Sequence, residues 1–196
     1  MLRYIEKART ILVEHPDLDE QIKELAVIRR FRRGEHIDST SEMRHLSMYI
    51  TKGCARLYFL KNGKEHTYSV AFDGEFITVF HSLLDNPAAS TRIEFIEPTT
   101  VVVTPMDKIH SILKAAPPDI FGSFAEVFLL SLYSHNRSLE ERLILFQTGS
   151  AVERYRWLLA RYPEINKRLN ATQIASLLGM TRETLYRIRS GKYRQS

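Results

Sequence analysis

Ala171-Thr-Gln-Ile-Ala-Ser-Leu-Leu-Gly-Met-Thr-Arg-Glu-Thr-Leu-Tyr-Arg-Ile-Arg-Ser190 is the stretch from which the rest of the chain is read. Ile174, Leu177 and Leu178 repeat at the spacing of one helical face. Asn170 before them, with Gln173 three residues on, forms the signature of a capping box. Gly179 then stops the pattern, because glycine tolerates the positive φ of a sharp turn. Thr181 is a good N-cap for a second helix whose buried face is Leu185 and Ile188. Ala175 is small enough for two helices to cross closely. The pattern predicts helix, turn, helix.

On the far face of the second helix stand Arg182, Glu183, Thr184, Tyr186, Arg187 and Arg189. A helix entering the major groove presents its N-terminal residues to base edges, where arginine bonds guanine O6 and N7 and glutamate accepts from cytosine N4. Thr172 and Thr181, at the two helix starts, complete the expected DNA contacts. The rival reading is a solvated charged face on a small helical hairpin. Turn glycine, apolar spacing and local charge together favour DNA. Charge is divided accordingly: from Ser150 onward ten basic residues face three acidic ones, leaving +7 there and −2 before it, against a total of +5. A basic module on a mildly acidic one is the footprint of phosphate-backbone binding.

At 196 residues the chain suits one large or two small domains. No apolar run approaches the ~18 residues of a membrane span, and the N-terminus lacks the apolar core of a signal peptide, so a soluble cytoplasmic protein is expected. The single cysteine, Cys54, allows no internal disulfide and no cluster requiring several thiolates from this chain; it is expected inside a strand. Histidines are scattered without close pairing, so neither a metal site nor a cofactor is expected.

Leu2 to Val13 and Leu18 to Leu25 read as amphipathic helices, the second opened by Pro16 with Asp17 as N-cap and Glu20 at the third position. From Ala26 to Thr104 the period shortens to that of strands: Ile28 and Phe31, Ile37, Met48 and Ile50, Ala55 to Phe59, Tyr68 to Phe72, Phe76 and Ile77, Ile93 and Phe95, Val101 to Val103. Gly34, Gly53, Asn62-Gly63, Gly74, Asn86-Pro87 and Pro98 punctuate them, and Asn62-Gly63 between alternating runs predicts a hairpin. An antiparallel sandwich or roll follows. Asp107 to Ala115 reads as a short helix. Beyond Pro117-Pro118 a long helix carries a near-heptad stripe through Phe121, Ala125, Phe128, Leu132, His135, Leu139, Arg142 and Phe146. Its further apolar residues widen the face enough for both the strand domain and a partner helix, so a homodimer through 117–147 is expected. Thr148-Gly149-Ser150 is the hinge, and Ser150 with Glu153 caps a helix ended by Pro163, whose Trp157 is expected in the C-terminal core.

In this order, the whole chain resembles the Crp/Fnr superfamily of bacterial transcription regulators, in its short branch without a terminal β-wing. The resemblance is carried by Arg33-Gly34-Glu35, Met48 to Gly53, Gly63 to Tyr68, Phe72 to Ile77, Tyr162-Pro163-Glu164 and, above all, Ile174 to Arg187. It implies an α+β fold: an antiparallel, jelly-roll, cyclic-nucleotide-binding-like β-roll over 1–116, a dimerisation helix over 117–147 and a helix-turn-helix domain over 148–196. It further implies that a homodimer reads a palindromic DNA duplex through Arg182, Glu183 and Arg187 with TGTGA-like half-sites, that RNA polymerase is a further partner, and that the roll takes an effector. The candidate effector pocket is Phe76, Thr78, Ser90, Thr91, Arg92, Phe128 and Leu132.

Cyclic-nucleotide-binding relatives carry Gly-Glu-Leu after the Phe-Ile strand and later an arginine for the cyclic phosphate. Here Thr78-Val79-Phe80 and Ala89-Ser90-Thr91 stand at those places, and strand alternation lets a small offset turn Arg92 elsewhere. Two other readings remain: a cupin-like enzyme, for which no metal triad or acid–base pair is evident, and an effector- or partner-binding roll without DNA affinity. Without the acid and the arginine, a buried phosphodiester loses its main partners. Isothermal titration with cAMP is therefore expected to give no heat of binding, and micromolar affinity would contradict this reading.

Overall fold

The computed structural model describes residues 3–38, 46–77 and 91–192. The chain begins with α1 (Arg3–Glu14) and α2 (Pro16–Leu25). Asp17 does not cap α2 as its sequence suggested. Pro16 takes the first helical position, His15 is the N-cap without a side-chain bond, and Asp17 lies inside the first turn. The fixed φ of proline starts the helix one residue early, and the carboxylate then faces the positive end of the helix dipole.

Among the described residues eight strands follow: β1 (Val27–Phe31), β2 (His36–Asp38), β3 (Leu46–Lys52), β4 (Ala55–Lys61), β5 (Lys64–Ala71), β6 (Phe76–Ile77), β7 (Thr91–Phe95) and β8 (Thr99–Pro105). They form two antiparallel four-stranded sheets, ordered β1-β8-β3-β6 and β2-β7-β4-β5. Their inner faces close on Ile37, Met48, Ile50, Leu57, Ile93, Phe95, Val101 and Val103, with Phe31 stacked on Phe95 at 4.0 Å. The β4–β5 hairpin turns through Asn62 at φ 53° and Gly63 at φ 72°, the paired positive dihedrals of a two-residue turn that matches strand twist. Strand β5 then bulges: Leu57 pairs with Ser69 but Tyr58 with Thr67, leaving Tyr68 without a partner in the ladder.

Cys54 stands in the turn between β3 and β4 rather than within a strand, fully buried. Gly53 beside it adopts φ +117°, and a Cβ there would lie 2.7 Å from Thr99 Cα, so this turn accepts only glycine without a shift of the neighbouring backbone. Burial pushes the Cys54 thiol up to about 12, which removes the thiolate that redox chemistry needs.

α3 (Met106–Ala115) and α4 (Pro118–Thr148) follow. Ile120 packs with Ile11 and Leu18, so α1 and α2 cover the start of the long helix. The chain closes with α5 (Ala151–Arg161), the single turn α6 (Ile165–Arg168), α7 (Ala171–Leu177) and α8 (Arg182–Arg189). Leu158, Ile165, Ile174, Leu178 and Leu185 are fully buried between these helices, and the same cluster takes in Val70 of β5 and, from the turns beside the strands, Cys54 and Ile96. Trp157 is not at the centre of this core. It is half-buried at its edge, because helical periodicity gives the central position to Leu158 and turns Trp157 toward α4 and the sheet.

Candidate nucleic-acid interface

Local chemistry fixes the α7–α8 unit. Asn170 Oδ1 accepts from Gln173 N at 3.0 Å while Gln173 Oε1 accepts from Asn170 N at 3.0 Å, a reciprocal capping box. Gly179 turns at φ +59°, and a Cβ there would meet Phe146 Cε1 of α4 at 2.9 Å, so the turn closes against the end of the long helix. Thr181 Oγ1 accepts from Thr184 N at 3.1 Å and starts α8. The Thr184 hydroxyl bonds back to Thr181 at 3.0 Å and serves the cap, not the solvent face.

Leu185 is fully buried and Ile188 half-buried, so helical periodicity turns Arg182, Glu183, Tyr186 and Arg187 outward, and all four are exposed. The Arg182 guanidinium lies 5.9 Å from the Tyr186 ring. The Glu183 backbone N–H and the Thr181 hydroxyl hold the Glu183 carboxyl below the usual range, so it is an acceptor at neutral pH. Thr172 and Thr181 are exposed at the two helix starts. Arg189 departs from the expected set. Its Nε donates to Tyr155 Oη at 3.1 Å and its Nη2 to Asn166 Oδ1 at 2.6 Å, so it ties α8 to α5 and α6 instead of reaching outward.

The described residues among those anticipated as an effector pocket stand at different places in the fold. Thr78 and Ser90 lie outside the described residues. Thr91 is buried on the inner face of β7, and Arg92 is turned to the outer face beside Asp38 at 3.4 Å. The cause is the two-residue period of the strand, which places neighbours on opposite faces. Phe128 and Leu132 stand on α4 at 49% and 38% exposure. Among the described residues of the set, Phe76 lines the cleft between the sheet and α4. Among the described residues no three His, Cys, Asp or Glu side chains converge as metal ligands, and no helix is long and apolar enough to cross a membrane.

Contacts that sequence reasoning missed seat the α7–α8 unit on the strands. Arg168 Nη1 donates to Asp73 Oδ2 at 2.5 Å, its Nη2 bonds Glu97, and its guanidinium lies 4.9 Å from the Phe72 ring. Thr67 N donates to Ser176 Oγ at 2.8 Å, and Ser176 Oγ donates to Glu65 O at 3.0 Å. Behind that contact Arg56, almost fully buried, pairs with Glu65 and Glu94 and donates to Thr67 Oγ1 at 2.9 Å. The partners of Arg168 and Ser176 are 71 to 111 residues away, and the sequence offered only the basic pair Lys167-Arg168 and an ordinary helical serine.

No protein-family model matches this sequence, and no curated protein does. Solved structures match across nearly the whole chain. The c-di-GMP-responsive global regulator CLP of Xanthomonas campestris superposes with a TM-score of 0.67 at 11% identity, over 90% of either chain. A protein described as a transcriptional regulator of the crp/fnr family from Eubacterium rectale gives 0.66 at 18% identity, over 89% of this chain and 82% of that one. A cyclic nucleotide-binding domain containing protein from Listeria monocytogenes gives 0.64 at 15% identity, over 94% and 89%.

The seating contacts carry a pH dependence. Burial pushes the Asp73 carboxyl up, but the Gly53 N–H and Arg168 together outweigh it and hold it below its usual range. A depressed carboxyl stabilises the seated arrangement above its ordinary value of ~3.9 and loses that contribution as pH falls through the depressed one. Replacing Arg168→Ala is expected to lower the protection factor of the Thr67 amide several-fold at neutral pH while the α5 core amides keep theirs, and acidification of the parent chain below the ordinary carboxyl range is expected to lower the same protection factor, measured against the intrinsic exchange rate at each pH. Unchanged protection at Thr67 in both would contradict this role. The chain thus has the fold of Crp/Fnr-type transcription regulators.

Proposed function

We propose that this chain is a Crp/Fnr-type transcription regulator, acting as a homodimer on a palindromic double-stranded operator and not as an enzyme. In this reading residues 1–116 are the sensor roll, 117–147 the dimerisation helix, and 148–196 the helix-turn-helix domain with α8 as the recognition helix. The observation that carries it is the outward cluster of Arg182, Glu183, Tyr186 and Arg187 on a helix held at both ends by its own caps and core. Rigid presentation matters because base readout depends on the donor geometry of a guanidinium fork.

The dimer is supported by α4. Leu129, Tyr133, Leu143 and Ile144 are 59–68% exposed on one long helix; Tyr133 lies four residues after Leu129, Leu143 two heptads after it and Ile144 next to Leu143, so the four share one side of the helix. Apolar side chains aligned along four turns are what a second copy covers, and a two-fold pair of such helices places two reading helices on successive turns of DNA. RNA polymerase as a further partner, a cytoplasmic location and an unidentified effector in the roll belong to the same reading.

Fluorescence anisotropy on a selected duplex tests it. Affinity is expected to fall steeply with salt as phosphate contacts release counterions. Arg187→Ala is expected to cost about 1–3 kcal/mol, roughly five- to 150-fold, and to relax preference at one base pair of each half-site. Salt-independent binding, or no binding to any duplex, would leave the chain a partner-binding module.

A further inference from the structure

A cavity of about 170 Å³ lies where β5, β6, α4 and α5 meet. It is distinct from the inner barrel of the roll, and it is well below the ~300–1,000 Å³ of pockets for drug-sized ligands. Arg142 from α4 and Arg161 from the last turn of α5 both line it. Neither has a carboxylate at ion-pair distance among the described residues. The acid in the wall, Glu75, is turned back on its own loop, where Oε2 accepts from Phe72 N at 3.0 Å. Burial and the nearby Arg161 hold Arg142 below the usual guanidinium range, whereas against burial Tyr162 and the carboxylates of Glu75 and Glu141 hold Arg161 above it, so two guanidinium groups line one space with a single carboxylate, Glu75, in its wall. Ser131, Ser134 and Ser138, at three- and four-residue spacing on the same face of α4, turn hydroxyls to the same space.

We propose that this cleft binds a compact oxyanion bearing two negative charges, held between Arg142 and Arg161 with the Ser134 and Ser138 hydroxyls as further donors. Guanidinium forks match such oxygens in geometry and charge, and the small volume suits a compact ligand. Arg142 also donates to Tyr68 O of the β5 bulge, and Trp157 of α5 and Tyr162 just beyond it line the cleft as well. The occupant therefore touches the sheet, the long helix and the C-terminal helices at once, and favours the arrangement in which the three are seated together. The site does not involve α8, so its failure leaves the DNA-reading proposal standing.

Titration calorimetry of the full chain with inorganic phosphate and with succinate, at ionic strength fixed with sodium chloride, tests the proposal. Saturable binding of at least one is expected. Arg161→Gln, at an exposed position outside the core, is expected to weaken it about tenfold or more. Ser138→Leu, which fills the cleft without changing charge, is expected to abolish it, and an unchanged melting transition in chloride alone identifies a folded variant. Arg187→Ala, on α8 and not among the residues that line the cleft, is expected to leave binding unchanged. Absence of binding by both anions, retention of full affinity in Arg161→Gln, or equal loss in Arg187→Ala would overturn the assignment.

Discussion

One surplus residue in β5 supports much of this architecture. A strand inside a sheet uses its backbone donors and acceptors on its neighbours, and a bulge frees some of them. Here the freed groups find partners outside the sheet: the Tyr68 carbonyl accepts from Arg142 of α4, and the Thr67 N–H donates to Ser176 of α7. Because both bonds originate within two residues, a shift of this segment is felt by the long helix and by the C-terminal helices together. The buried Arg56 pairs with Glu65 and bonds Thr67 on the same segment, and removing one partner of a buried charge leaves the other uncompensated. The bulge is therefore held from three sides.

The C-terminal helices use opposite faces for opposite purposes. Ser176, Arg168 and the apolar side chains beside them face the strands, where Asp73 and Glu97 supply the negative charge that the basic segment lacks. Arg182, Glu183, Tyr186 and Arg187 face away. Seating the unit on the roll thus leaves the proposed reading face open, and a basic segment on a mildly acidic body is divided between an internal clamp and an external surface. Arg189 belongs to the first group despite its place on α8, and the Tyr155–Asn166 pair that holds it fixes the angle of the helix.

The features legible in the sequence were those decided within a few residues. Both capping boxes, the Gly179 turn, the Thr181 cap and the Asn62-Gly63 hairpin depend on side chains or dihedrals three or four positions apart, and each stands as the sequence indicated. The strand run and the two long helical segments were legible from period alone. What failed depended on partners far along the chain or on direction. Arg92 is one residue from an inward-facing position, and alternation sends it outward. Trp157 is large and aromatic, yet its neighbour Leu158 holds the central angle of the helix. Arg168 and Ser176 gave no local sign of the carboxylates and backbone groups they meet. The stripe along α4 was one feature by spacing, but its lower members, Arg142 and Phe146, are taken up within the chain while more N-terminal ones such as Phe128 remain exposed.

The central claim is that α8, duplicated by pairing of the long helices, reads two half-sites related by a two-fold axis. Selection of bound duplexes from a random pool measures this directly. The account predicts an inverted repeat whose half-site centres lie about one helical turn apart, roughly 10–10.5 base pairs. Recovery of a single unrepeated site, of direct repeats, or of sequences with no shared element would contradict it.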